Sequence, residues 1–264
     1  MEKVINWGYE KCLLKAIILA AGKGGRLGDL TKNVPKGMLK IHGKTLIERQ
    51  IKIYQNCEIN DITIVTGYKS ENIHFSGVNY IKNHDFAVTS VNESLFCASK
   101  KFTDSVIISY TDIIFEQKII QQMLEDSADI GIAVNLNWKT NYEGRTLHPT
   151  FEAENVLIEN GKICQIKKNI SEKKHNQQIG EFMGIMKLSK EGAATMLQKY
   201  LELKKSHKGT FHNAGSLRVA YITDMLQEMI DSGFNVSPVV VDGEWSEIDT
   251  PQDFENVEKS LIFN

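Results

Sequence analysis

Residues 16–39 hold the densest run of chemically useful side chains in this 264-residue sequence: Ala-Ile-Ile-Leu-Ala-Ala-Gly-Lys-Gly-Gly-Arg-Leu-Gly-Asp-Leu-Thr-Lys-Asn-Val-Pro-Lys-Gly-Met-Leu. The apolar run Ala16 to Ala20 reads as a buried parallel strand, and it empties into a loop holding Gly22, Gly24, Gly25 and Gly28. Glycine lets backbone N–H groups approach an anion closely, and Lys23, Arg26 and Lys36 would neutralise it. A strand, a glycine loop and clustered cations, in that order, describe a polyphosphate-binding loop. Neither common alternative fits. Leu27 stands where G-x-G-x-x-G needs its third glycine, and the Gly-Lys-Ser/Thr end of a P-loop is absent.

Two carboxylates fall where open α/β sheets bind ligands, outside the carboxyl ends of strands. Asp112 follows the apolar Val106–Ile108 within Ser-Tyr-Thr-Asp-Ile-Ile-Phe, and Asp249 lies in Trp245-Ser-Glu-Ile-Asp-Thr-Pro, just before a predicted helix. Taken alone, each reads as an N-cap or turn residue.

The elements that must position these groups alternate between strand and helix, which predicts an α/β protein: a mostly parallel sheet with helices on both faces. The pattern predicts helices over 46–56, 92–101, 116–125, 190–204, 222–232 and 251–261, the last with Pro251 in its first turn. Strands are predicted over 61–66, 78–81, 105–109, 130–134, 182–188 and 236–241, with a hairpin over 156–166 turning at Asn160-Gly161. Lys167 to Gln178 is polar and aperiodic and reads as an exposed loop. Residues 14–264 read as a single domain, with 137–181 as an insertion carrying the hairpin. Residues 1–13, with Trp7 and Tyr9, form an extension of unassigned role that lacks the apolar core of a signal peptide.

With 31 Lys+Arg against 33 Asp+Glu, no global field points to nucleic acid or an anionic membrane. No apolar run approaches the ~20 residues of a membrane span. Cys12, Cys57, Cys97 and Cys164 form no C-x-x-C pair and read as reduced thiols of a cytoplasmic protein.

The stretch Leu19 to Lys36 resembles the signature of the sugar-phosphate nucleotidylyltransferase superfamily, L-A-A-G-x-G-[ST]-R-L followed by P-K, with Gly25 at the Ser/Thr position. The resemblance implies a Rossmann-like three-layer α/β/α sandwich of the nucleotidyltransferase or GT-A type. It implies that Leu19, Ala20, Ala21, Gly22, Gly24 and Gly25, with Gly67 and Ser94, bind the nucleotide, while Lys36, Arg26 and Lys23 face its phosphates. In the family, an Asp after the fourth strand and one in a late Glu-x-Asp-Thr motif share Mg²⁺; the matching positions are Asp112 and Asp249. Thr111 replaces the Gly that many relatives carry before the first Asp. An acceptor phosphate would attack the NTP α-phosphorus and release pyrophosphate, a step that needs charge neutralisation more than acid–base help.

Within the superfamily, the chain resembles the small branch acting on phosphocholine and phosphonates, including the transferase portions beside phosphoenolpyruvate-mutase domains. The features are Pro35-Lys-Gly-Met38, Ile64-Val-Thr-Gly-Tyr68, Val106–Asp112, Asn137-Trp138 with Tyr142 and Arg145, and Trp245–Thr250. That branch implies CTP as donor and a small phosphorylated or phosphonate acceptor, and it allows a homodimer. Trp138 and Tyr142 would cage a quaternary ammonium or simply pack the sheet edge, and Arg145 would clamp a phosphonate or carboxylate. Glu143 and Glu181 would receive an amine or simply stand solvated, and Trp245 reads equally as core or as ligand wall. Ser90 and Val91 depart from the paired Asn of the relatives, which opens the acceptor class beyond phosphocholine to 2-aminoethylphosphonate or a phosphorylated amino acid or amide destined for surface polysaccharide. The rival readings are a sugar-1-phosphate nucleotidylyltransferase using UTP, dTTP or GTP, a GT-A glycosyltransferase, which would want Asp-x-Asp where Tyr-Thr-Asp stands, and a non-catalytic nucleotide sensor.

Overall fold

The computed structural model describes residues 14–260. The 1–13 extension, Cys12 and the predicted last residue of the closing helix, Leu261, lie outside the described residues. In chain order the elements are β1 (Lys15–Ala20), a small ribbon of β2 (Lys40–Ile41) and β3 (Lys44–Thr45), α1 (Leu46–Asn56), β4 (Asp61–Thr66), β5 (Asn79–Lys82), α2 (Val91–Cys97), β6 (Val106–Tyr110), β7 (Ile113–Phe115), α3 (Gln117–Glu125) and β8 (Ile130–Asn135). They continue with β9 (Glu154–Glu159), β10 (Lys162–Lys168), β11 (Gln177–Leu188), α4 (Lys190–Ser206), α5 (Ile222–Asp231), β12 (Ser237–Val240), β13 (Trp245–Glu247) and α6 (Pro251–Ser260).

The main sheet runs β10-β9-β11-β6-β1-β4-β5, with β8 also paired to β11 and β12 to β8. Pairing is parallel for β6-β1-β4-β5 and for β8-β12, and antiparallel around β11. The apolar run of β1 is continuous because both faces are covered. Ile17 and Leu19 point into a core closed by α2, α4 and α5, whereas Ala16, Ile18 and Ala20 point into one closed by α1 and α3. The outcome is three layers, helix on sheet on helix.

Long β11 serves two neighbours in succession. Residues 177–181 pair with β9 and 185–188 with β6, and the register to β8 shifts between Phe182 and Met186. Gly184 sits at that shift with φ +74, and a Cβ there would lie 2.8 Å from the Tyr110 ring. Both constraints call for glycine.

Several boundaries differ from the sequence reading. The predicted helix 92–101 is α2 followed by a separate 3₁₀ turn, Ser99–Lys101. The predicted loop 167–178 shrinks to 169–176, because β10 continues to Lys168 and β11 begins at Gln177. The added residues, Lys167-Lys168 and Gln177-Gln178, are polar on both faces, and a bulge between Ile163 and Gln165 breaks the alternation of β10 before them. The β7–β13 ribbon escaped the sequence reading too: three residues per strand is below what periodicity resolves.

Candidate functional site

β1 delivers the glycine loop at the carboxyl edge of the parallel strands. Gly24 takes the left-handed conformation (φ 66), and its carbonyl accepts from Leu27 N (3.0 Å) and Thr31 Oγ1 (2.9 Å), which ties the loop to the 3₁₀ segment Gly25–Thr31. Tyr68 braces it from β4's end: its N–H donates to Ala21 O (3.0 Å) and its hydroxyl to Lys32 O (3.0 Å). Lys23 Nζ lies 5.9 Å from the Tyr68 ring.

Lys36 begins a short 3₁₀ turn after extended Pro35 and is buried, 6% exposed. Its ammonium donates to Asp112 Oδ2 (2.8 Å) and to Asp249 Oδ1, while Arg26 donates to Asp249 Oδ2. Burial alone would lower the Lys36 pKa, but Asp112, Asp249 and Glu247 overcome it and hold it above its ordinary value. Asp249 pays the same desolvation, and Lys36 and Arg26 more than offset it, drawing its carboxyl down to about 2.

Two devices bring these carboxylates together. Asp112 immediately precedes β7 and Asp249 follows β13 by one residue, and the strands pair antiparallel, with Ile248 N donating to Asp112 O at 2.9 Å. Gln50 of α1 clamps the Asp112 turn, donating to Tyr110 O (2.8 Å) and Ile113 O (3.0 Å) while accepting from Ser109 Oγ (2.8 Å). On the other side, Thr250 and Asp253 close the start of α6. Asp253 Oδ2 accepts from Thr250 N (2.8 Å) and Asp249 N (3.1 Å), with Pro251 at the first helical position.

The residues fit a hard divalent cation. Asp112 Oδ1 is buried without a hydrogen-bond partner, and His148, Glu247 and Asp249 offer ligand atoms within 4.8 Å of one another. Burial and the Arg145 guanidinium push His148 down to about 4, so it is neutral near pH 7; its Nδ1 accepts from Arg145 at 2.8 Å. Burial, with Asp249 and Asp112 nearby, pushes Glu247 well above the carboxylate range.

A cleft of about 640 Å³ runs from the loop past this cluster to the mouth of β9–β11. Leu19, Ala21, Gly22, Lys23, Gly24, Gly25, Arg26, Lys36, Ser94, Asp112, Tyr142, Glu181, Trp245 and Asp249 all line it. Ala20 and Gly67 do not. A Cβ on Gly67 would meet Ala21 O at 2.6 Å, so this glycine lets two turns pack behind the loop. Trp138 is also off the cleft, buried with Tyr142, Ala153 and Ile179, so of its two readings, cage or packing, the structure shows packing. Arg145 is not free to clamp an acceptor. It donates to Asp253 Oδ1 (2.7 Å) and His148, and its guanidinium lies 4.8 Å from the Tyr142 ring.

The sequence reading missed Gln50, His148, Glu154, Tyr110 and Glu247. For Glu247 a signal existed, since residues two apart in a strand share a face and Asp249 was already a candidate. The others become visible only once distant strands are adjacent.

A model of the MobA-like NTP transferase domain matches residues 16–167, which include the glycine loop, Lys36 and Asp112. The chain is 28% identical to the CTP:phosphoglutamine cytidylyltransferase of Campylobacter jejuni over 258 residues, 92% of this chain and 98% of that protein. It is 36% identical to the choline-phosphate cytidylyltransferase of Streptococcus pneumoniae over 107 residues, 39% of this chain and 47% of that one. The solved CTP:phosphocholine cytidylyltransferase from Streptococcus pneumoniae superposes with a TM-score of 0.69 at 22% identity, over 94% of this chain and 99% of that chain. The inositol-1-phosphate CTP transferase from T. maritima gives 0.69 at 19% identity, over 97% and 100%. At these identities the two structures speak for the fold, the mixed-sheet α/β sandwich described above. With the family model covering more than half of its length, the chain belongs to the MobA-like NTP transferase family and is a nucleotidyltransferase.

Proposed function

We propose that the protein transfers CMP from CTP to a small phosphorylated amino acid or amide, with Mg²⁺ as cofactor and pyrophosphate as leaving product. The observation that carries this reading is the Lys36 ammonium bridging Asp112 and Asp249 at the open end of the glycine loop. Similarity to a CTP:phosphoglutamine cytidylyltransferase along nearly the whole of both chains supports the donor and the acceptor class.

In this reading the backbone N–H groups of Gly22 to Gly25 hold the CTP β- and γ-phosphates, with Lys23 and Arg26 alongside. An oxygen of the acceptor phosphate attacks the α-phosphorus in line. The new oxygen–phosphorus bond forms as the bond to the α,β-bridging oxygen breaks, and the electron pair leaves with pyrophosphate. No proton moves, so neutral His148, whose Nδ1 accepts from Arg145, serves no acid–base role. Lys36 offsets the charge gathering on the α-phosphoryl oxygens, in a buried setting that strengthens the interaction. Mg²⁺ held by Asp112 and Asp249 would supply the remaining positive charge on the phosphoryl oxygens.

The test offers CTP, UTP, dTTP and GTP with Mg²⁺ against phosphoglutamine, phosphocholine, 2-aminoethylphosphonate and glucose 1-phosphate, following pyrophosphate. Release is expected with CTP and phosphoglutamine. Preferred use of UTP or dTTP with glucose 1-phosphate would overturn the proposal in favour of sugar activation.

A further inference from the structure

Beyond the phosphate cluster, the far wall of the cleft is acidic and incompletely satisfied. Glu181, on β11, is 2% exposed yet lines the cleft. Its Oε1 accepts from the Tyr142 hydroxyl, and its Oε2 is buried with no hydrogen-bond partner. A buried carboxylate oxygen left unpaired is costly, and one on the wall of a cleft can be satisfied by a donor that enters it. The nearest cation on its own side is committed elsewhere, because Arg145 is bound to Asp253 and His148. Lys168 is engaged by Glu152 at 2.8 Å and lies over the Tyr221 ring. Glu154, at the start of β9, adds a second carboxylate to the same wall, with only a long bond from Thr223 Oγ1 (3.3 Å). Tyr110 lines the same cleft, and its hydroxyl is also buried and unpartnered. Burial pushes Glu181 up to about 8 despite the Tyr142 hydrogen bond and the Arg145 charge, and burial pushes Glu154 up to about 7 despite Lys168 and Thr223.

Resting on the proposed transfer to a phosphorylated acceptor, we infer that Glu181, supported by Glu154, is the specificity residue that receives an N–H-bearing ammonium of the acceptor. The acceptor is therefore a primary amine, such as the α-amino group of an amino acid. A quaternary ammonium has no N–H to give the unpaired oxygen. It needs aromatic faces, and Trp138 stands outside the cleft. Tyr142, stacked under Arg145, fixes the carboxylate's orientation through Oε1 and leaves Oε2 for the ligand.

The test uses matched acceptors that differ only at nitrogen: phosphoethanolamine against phosphocholine, and phosphoglutamine against its N-α-acetyl derivative. For each, kcat/KM with CTP is measured for the wild type and Glu181→Gln, and CTP binding is measured separately by calorimetry. The wild type is expected to prefer the free-amine member of each pair by at least about tenfold. Glu181→Gln should lose most of that preference through KM, with its CTP affinity unchanged. Equal use of the blocked and free partners by the wild type overturns the inference, as does a preference that survives in Glu181→Gln. If CTP itself does not bind, the nucleotidyl-transfer reading falls instead. If CTP binds and none of the four acceptors reacts or binds alongside it, the ammonium assignment falls while the donor half of the reading stands. Should Glu181→Gln fold poorly, Glu181→Asp, which keeps the charge but withdraws it from the cleft, is expected to lower the free-amine preference through KM; an unchanged preference overturns the assignment.

Discussion

At one end of the cleft the ligand-facing groups are glycine backbone and three lysine or arginine side chains, laid down within residues 22–36. At the other end they are the carboxylates Glu154 and Glu181 and the hydroxyl of Tyr110, drawn from three strands that meet only in the folded sheet. The cationic end is assembled locally and braced by short-range bonds, such as Thr31 to Gly24. The acidic end depends on tertiary pairing, above all on β11 changing neighbours at Gly184. Under the proposed transfer the first end holds the triphosphate of the donor. Under the same proposal the second meets the acceptor, and changing it leaves the loop intact.

Substitutions can break this contrast. The largest effect is expected at the junction: Asp249→Asn or Asp112→Asn should lower kcat about a thousandfold or more with little change in melting temperature, read by pyrophosphate release and thermal melts. Lys36→Met should cost on the order of a hundredfold in kcat, because it removes charge from the α-phosphoryl oxygens and leaves Asp112 without its ion-pair partner and Asp249 with Arg26 alone. Retention of near-normal turnover in both kinds of variant would dissolve the distinction between the two ends.

The acidic end has its own signature in pH. Glu181 is raised from 4.5 to about 8, so the folded state holds a proton that the unfolded chain releases above pH 4.5. Its contribution to stability is therefore full below about pH 4.5 and declines as pH rises towards 8, with Glu154 acting in the same direction up to about 7. Urea titrations at pH 6 and 9 should show Glu181→Gln recovering on the order of 2 kcal/mol of the wild type's alkaline loss. A wild-type curve that is flat over this range would contradict the burial argument.

Two scaffold changes should act on stability. Gly37→Ala puts a Cβ 2.3 Å from Thr111 Oγ1 and 2.6 Å from Ile47 Cδ1, so it should cost roughly 2 kcal/mol in denaturant titrations and displace the Asp112 turn. Thr45→Ala removes the capping box with Glu48 at the start of α1 and should cost about 1 kcal/mol without altering kcat. A loss of activity in Thr45→Ala would mean that the Gln50 clamp on the same helix is less rigid than its three bonds indicate.

The two ends were also unequally legible in the sequence. The glycine loop, Lys36, Asp112 and Asp249 sit in contiguous motifs whose chemistry is carried by residue type and short spacing, and the folded chain brings them together. Strand and helix alternation was clear wherever an element was buried on a regular stripe, as in β1 and α3. It blurred at the β10 bulge and vanished for the β7–β13 ribbon, whose register depends on tertiary neighbours. Trp138 and Arg145 carried suggestive side chains, but the structure spends them on packing and on anchoring Asp253. Residue type alone cannot say whether an arginine already has a partner. His148 and Glu154 had no local signal, because their importance comes from what lies across the cleft.

The β7–β13 ribbon also has a consequence for the order in which the enzyme comes to life. Lys36 and Asp249 are 213 residues apart, and Asp249 reaches its place only when β13 has paired with β7 and α6 has formed behind it. A chain still being synthesised can complete its phosphate loop early, yet it has no Asp249 to set beside Asp112. The Lys36–Asp249 pairing therefore arrives in one late step, and under the proposed mechanism a single proteolytic cut ahead of β13 should switch the chemistry off.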